Sequence, residues 1–262
     1  MKWKTRIPLY AVTALVAVWL VAPTLVVIPL SFTEQRSLAF PPKGFSLRWY
    51  ENFFTSSGWL GGLLNSLQIG LVVAVVATVL GTAAAYALSK TAGFRKMAAR
   101  NLILVPMLVP NVIFAVGLYA LFLQVNLVGT FWGFLLAHTA LALPFVVINV
   151  SASLASYDSQ LERAAWVCGA SKMGAFLTVT LPSIKSGVLS GFLFAFITSF
   201  DEVIVSLFIS NPFLQTLPVR MFSSLQREVD PTIAAAATVI MVITTAAAVL
   251  GISASSRKKS NA

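Results

Sequence analysis

Few residues of this 262-residue chain carry reactive side chains, and those that do stand far apart. Asp201 and Glu202 are neighbours in the apolar stretch SFDEVIVSLFIS, the only histidine is His138 in AHTALALPF, and the only cysteine is Cys168 in WVCGAS. Adjacent carboxylates on a helix point about 100° apart and cannot flank a scissile bond as a glycosidase pair does. A cysteine beside a histidine would make a nucleophile and its base. Here, however, His138 falls in an apolar run and Cys168 in a polar loop, so Cys168 reads as a small filler. A single cysteine also excludes an internal disulfide. No metal-binding constellation accompanies His138, which reads as a donor between helices. No GxxxxGK[ST] occurs, so no P-loop for ATP is expected. The residues therefore predict no catalytic site and no cofactor bound by this chain.

Asp201 and Glu202 gain meaning from their surroundings. An ionisable group in a membrane-spanning element costs a few kcal/mol, so it faces a cavity or a partner. One reading is that one of the pair, Asp201 above all, faces a translocation pathway and attracts a cationic solute. The other is that both bond neighbouring helices or Arg220. Asn111 and His138, with Gln124 and Asn149, are further polar candidates for a pathway lining.

The elements that must position these residues are membrane helices. Hydrophobic residues make up 58% of the chain and charged ones 10%, against roughly a quarter charged in soluble domains. Apolar runs of about 20 residues recur, each long enough to cross about 30 Å of hydrocarbon. They lack the alternation of barrel strands, and backbone groups in lipid must bond internally, so each run predicts a helix. The spans are placed at about 7–32, 63–88, 101–123, 131–150, 187–209 and 232–254, in one transmembrane domain covering residues 1–262. The first is too long for a cleaved signal and reads as a retained helix. Lysines and arginines number thirteen on the side of both termini and five on the other, which predicts cytoplasmic termini. The net charge of +10 then reports topology and anionic headgroups, not nucleic-acid binding. Pro106 and Pro110 interrupt the third span and Pro144 the fourth. No internal or inverted repeat is visible, which argues against the secondary transporters built from two such halves.

Two segments outside the spans are longer than a turn requires. On the outer side, Ser46 to Phe54 predicts a short amphipathic helix with Trp49, Tyr50, Phe53 and Phe54 at the membrane interface. On the inner side, Gln160 onward predicts a helix ended by Gly169 in a left-handed cap, and Ser171 caps a second one that stops before Pro182. Ala164 and Ala165 allow close approach of a neighbour, while Gly174 and Phe176 offer a shallow apolar knob.

This inner segment, LERAAWVCGASKMGAFLTVTLPSIKSGV, resembles the EAA loop of ABC-importer inner-membrane permeases. Ala164, Ala165, Gly169 and Leu181–Pro182 match the motif, with Phe176 as its usual aromatic. Arg163 stands where the family has glutamate, and Glu162 is the nearest acid, so the charge is turned by about 100° on a helix. The resemblance implies an all-α, six-helix MetI-like permease whose loop 157–186 docks an ATPase through Glu162, Arg163, Ala164, Ala165, Gly169, Ala170, Ser171, Gly174, Phe176, Leu181 and Pro182. It further implies a homologous second permease, two ATPase subunits that bind ATP and magnesium, an external solute-binding protein and the bacterial inner membrane. The stretches SFDEVIVSLFIS and TLPVRMFSSLQREVDPTIAAAAT resemble the spermidine/putrescine branch. Iron or oxyanion permeases, and an ion-coupled secondary transporter, are the alternatives.

Overall fold

The structure is a computed structural model that describes residues 7–227 and 230–256. The basic residues Lys2, Lys4 and Arg6 at one end and Arg257, Lys258 and Lys259 at the other, which enter the orientation count, lie outside the described residues. The regular elements described are all helical: α1 (Ile7–Leu30), α2 (Arg48–Thr55), α3 (Ser57–Lys90), α4 (Gly93–Leu108), α5 (Asn111–Gln124), α6 (Phe131–Ala155), α7 (Gln160–Val167), α8 (Lys172–Ala175), α9 (Leu181–Ser183), α10 (Lys185–Phe200), α11 (Ile204–Ile209), α12 (Leu217–Arg227) and α13 (Thr232–Ser256). Phe176–Thr180 between α8 and α9 is a turn of π-helix.

Four of these helices are long and apolar enough to cross a membrane: Leu9–Leu30, Ser57–Lys90, Phe131–Ala155 and Thr232–Val249. Two bent pairs, α4 with α5 and the Lys172–Ser183 stretch with α10, raise the number to as many as six. The stretch expected as one third span is broken, its two helices meeting at 101°. Pro110 explains the break. Its ring disfavours helical backbone at the residue before it, and Val109 is extended at φ −81°, ψ 131°. Pro106, inside α4, does not end that helix.

The chain forms two compact units. The first comprises residues up to Leu60 with Arg220–Ile243. The apolar side chains of α1 are largely exposed here, as suits a helix whose solvent is lipid. The amphipathic helix expected over Ser46 to Phe54 is present as α2, but its aromatics are not all free to face a membrane interface. Phe53 is fully buried and Trp49 nearly so, because Trp49 Nε1 donates to Thr33 O at 2.6 Å and draws the ring inward. Tyr50 Oη pairs with Ser31 Oγ at 2.7 Å.

The second unit comprises Gly61–Val219 with Thr244–Ala262. Its centre is α6, whose Phe134, Ala137, Leu141, Ala142, Val146 and Val150 are buried. Helix α6 packs extensively along α10. Gly187 makes it possible, since a Cβ there would lie 2.8 Å from the carbonyl oxygen of Asn149. Small residues at such crossings let backbones approach where packing, not water, drives association.

Candidate functional site

The loop between α6 and α10 is built by local rules. Helix α7 ends at Val167, and Gly169 turns the chain at φ +89°, a left-handed value that glycine adopts without strain. Ser171 Oγ then accepts from the Gly174 amide at 3.0 Å and starts α8. The second helical stretch does not stop before Pro182. Proline is tolerated in the first turn of a helix, and Pro182 occupies that place in α9. Having no N–H, it gives nothing to the Thr178 carbonyl four residues earlier. The ladder shifts to a wider turn, and the Leu181 amide bonds Phe176 O.

One acid fastens this loop to α3. Glu162 is fully buried, and three donors converge on its carboxylate. Lys90 Nζ lies 2.8 Å from Oε2, Tyr86 Oη 2.5 Å from Oε1, and Thr180 Oγ1 3.2 Å from Oε2. Burial pushes the Glu162 carboxyl upward, but the hydrogen bonds from Lys90 and Tyr86 and the Lys90 charge outweigh it, holding the group below its ordinary value. The Tyr86 ring packs on Phe176 with centroids 4.7 Å apart. Glu162 and Phe176 therefore meet the last turns of α3, and Thr180, toward the far end of the loop, bonds the same carboxylate. Arg163 and Ala164 are exposed and Ala165 half-buried, so the one-residue displacement of the acid turns it inward and the arginine outward. A groove of about 840 Å³ opens beside the clamp, lined by Tyr86, Lys90, Trp166, Met173, Phe176 and Leu177 among others.

The second polar constellation lies at a break in the fifth span. Helix α10 ends at Phe200 and α11 begins at Ile204, so Asp201 and Glu202 occupy a bend and not a continuous helix. Glu202 is buried, and its two oxygens accept the amides of Ile204, Val205 and Ser206 at 3.0–3.1 Å. It caps the short helix. Asp201 is exposed, and its carboxylate has no polar partner among the described residues. A cavity of about 540 Å³ brings together Asn111, Asp201 and Glu202 with Pro106, Phe145 and Thr198. His138 does not line it. That ring is buried, with Nδ1 2.8 Å from Ser199 Oγ and Nε2 3.0 Å from Ser206 Oγ. Gln124 is exposed at the end of α5, and Asn149 Nδ2 donates to Phe145 O at 2.8 Å.

Residues 77–259 match the family described as the binding-protein-dependent transport system inner membrane component. The chain belongs to this family of ABC-importer permeases. The matched region includes the clamp, the loop and the break in the fifth span. The chain is 34% identical over 217 residues to the spermidine/putrescine transport system permease protein PotC of Haemophilus influenzae, covering 83% of this chain and 84% of that one. It is 32% identical over 227 residues to the putrescine transport system permease protein PotI of Escherichia coli, covering 83% and 79%. Among solved structures, a chain of a bacterial alginate ABC transporter in complex with alginate pentasaccharide-bound periplasmic protein is similar at a TM-score of 0.73 and 16% identity, covering 97% of this chain and 96% of that chain. That likeness carries the fold, an all-α permease of MetI-like architecture. A permease of this family is a non-catalytic membrane subunit, and no cluster of three or more potential metal ligands occurs among the described residues.

Sequence reasoning missed Tyr86, Lys90 and Thr180. Lys90 carries a signal in retrospect, as a lysine one turn beyond a tyrosine at the end of an apolar run. Ser199 and Ser206 were missed as well, although they flank the acid pair on both sides.

Proposed function

We propose that this permease carries polyamines, in the class of putrescine and spermidine, and that Asp201 receives their ammonium groups in the pathway. The observation that carries the reading is the unpartnered Asp201 carboxylate facing a cavity at a break in an apolar span. The carbonyl end of α10 points to the same place, and a helix C-terminus favours cations. Among the described residues no lysine or arginine lines that cavity, which disfavours an oxyanion. The relatives named as spermidine/putrescine permeases support the same cargo.

On this reading the chain pairs with a homologous permease, two ATPase subunits and an external solute-binding protein. Its termini are cytoplasmic, and the spans correspond to α1, α3, α4 with α5, α6, α10 with α11, and α13. The loop 157–186 docks the ATPase through exposed Arg163, Ala164 and the Gly169 turn. The Glu162 clamp passes closure of the ATPases to α3. ATP-dependent uptake into proteoliposomes tests the cargo reading. Asp201→Asn raises the KM for putrescine about tenfold or more, the scale of one charge-assisted contact. Unchanged uptake of putrescine and spermidine by that variant contradicts the role of Asp201.

A further inference from the structure

Among the described residues, His138 is the one buried titratable group that neither the loop nor the cavity uses. It sits on α6 with both ring nitrogens engaged, Nδ1 with Ser199 Oγ at 2.8 Å and Nε2 with Ser206 Oγ at 3.0 Å. Those serines lie on opposite sides of the bend, Ser199 in the last turn of α10 and Ser206 in α11. An imidazole with one N–H donates from one nitrogen and accepts at the other, so the ring joins the two helices with opposite polarity at its ends. Phe134 meets it edge-on at 5.6 Å between centroids and restrains the ring's tilt. Glu202 fixes the far side of the bend by capping α11. Asp201, between these two anchors, is left facing the cavity.

We propose that His138 is a positioning residue that bridges the broken span and sets the direction in which Asp201 presents its carboxylate. The proposal rests on Asp201 being the cation-recognising group. Both ring nitrogens are engaged by hydroxyls, which leaves neither free to ligate a metal. A purely apolar filler would pack α6 against α10 without tying α11 to the same point. The staple is also removable without unfolding the bundle. A serine in a helix can bond a carbonyl of its own preceding turn, so Ser199 and Ser206 keep partners when the ring is gone.

The test uses the complete transporter in proteoliposomes, with His138→Ala and the milder Ser206→Ala, each made alone and with Asp201→Asn. In the otherwise unchanged protein each raises the KM for putrescine several-fold, up to about tenfold, while kcat moves less. In the Asp201→Asn background the same substitution has no further effect, the coupling expected of residues acting through one group. An equal KM change in both backgrounds overturns the proposal and leaves His138 a general packing residue. A second readout does not depend on cargo. With Cys168→Ser removing the native thiol, Asp201→Cys is labelled by a cationic thiosulfonate, and adding Ser206→Ala or His138→Ala changes the labelling rate several-fold. An unchanged rate overturns the staple even if Asp201 recognises no amine, whereas a changed rate with unaltered uptake by Asp201→Asn upholds the staple and fails the cargo reading alone.

Discussion

Replacing Glu162 with glutamine keeps the side chain's size and removes only its charge. All three neighbours donate to the carboxylate. The amide oxygen keeps Lys90 and Thr180, and the NH2 turns to Tyr86, whose hydroxyl can reverse and accept. The Tyr86 proton then turns to the groove that its side chain lines, so the loss is chiefly electrostatic. Hydrogen bonds to an ionised group contribute about 1.5–3 kcal/mol, against about 1 kcal/mol for neutral pairs. With Tyr86 half-buried and the Thr180 bond long at 3.2 Å, each loses the lower part of that difference, about 0.5–1 kcal/mol. The Lys90 side chain is 41% exposed, so water takes up much of what it forfeits, and its loss is held below about 1 kcal/mol. The total is about 2 kcal/mol, or about 30-fold in the ratio of attached to detached loop. Hydrogen exchange of the α7 amides reads this directly. Glu162→Gln should accelerate exchange there by about that factor and raise the ATP hydrolysed per solute imported in the assembled transporter. Arg163→Ala, at an exposed position, should leave α7 exchange unchanged. Exchange in Glu162→Gln within about twofold of the parent would refute the clamp, because it would place the loop's attachment elsewhere.

The clamp is also pH-dependent. Since the Glu162 carboxyl is held below its ordinary value, its contribution is complete above the usual carboxylate range and disappears as pH falls through the lowered value. Protease sensitivity of the loop should stay flat from pH 7 down to the ordinary carboxylate range and rise as pH falls below it, with Glu162→Gln abolishing the transition. Gly169→Ala meets no neighbouring atom within 4 Å but must adopt φ +89°. It should weaken the turn by about 1 kcal/mol, seen as faster α8 exchange with the global Tm nearly unmoved. Gly187→Val drives a side chain toward the α6 backbone, and overpacking of that kind costs about 1–3 kcal/mol. Its Tm in detergent should fall by several degrees.

How much of this was legible in the chain differs from element to element. The spans are written in runs of apolar residues, because lipid demands internal bonding of the backbone and tolerates little polarity. The Gly169 turn and the Ser171 cap were equally readable, since each follows from one residue's own geometry. The bend at Pro110 was only half visible. Proline inside a membrane helix sometimes kinks it and sometimes is absorbed, as Pro106 and Pro144 are, and neighbours decide which. The acid pair misled in a useful way. On an unbroken helix the two carboxylates are alternatives, but at a bend one becomes a cap and the other is freed. SFDEVIVSLFIS announces the bend only weakly: Glu202 can cap a following helix, but the partner that joins Ser199 to Ser206 is His138, some sixty residues away. The Glu162 clamp is hidden for the same reason. Its donors come from α3 and from the far end of the loop, and only folding brings them together.

ATP-driven movement of an amine is measured directly by reconstitution. The chain is assembled in liposomes with its partner permease, ATPase subunits and solute-binding protein, and supplied with labelled putrescine, spermidine and sulfate. The expected result is saturable uptake of the amines that requires ATP and the ATPase subunits, with sulfate excluded. Amine uptake by this chain without any ATPase subunit, or ATP-driven uptake of sulfate in place of the amines, would contradict it.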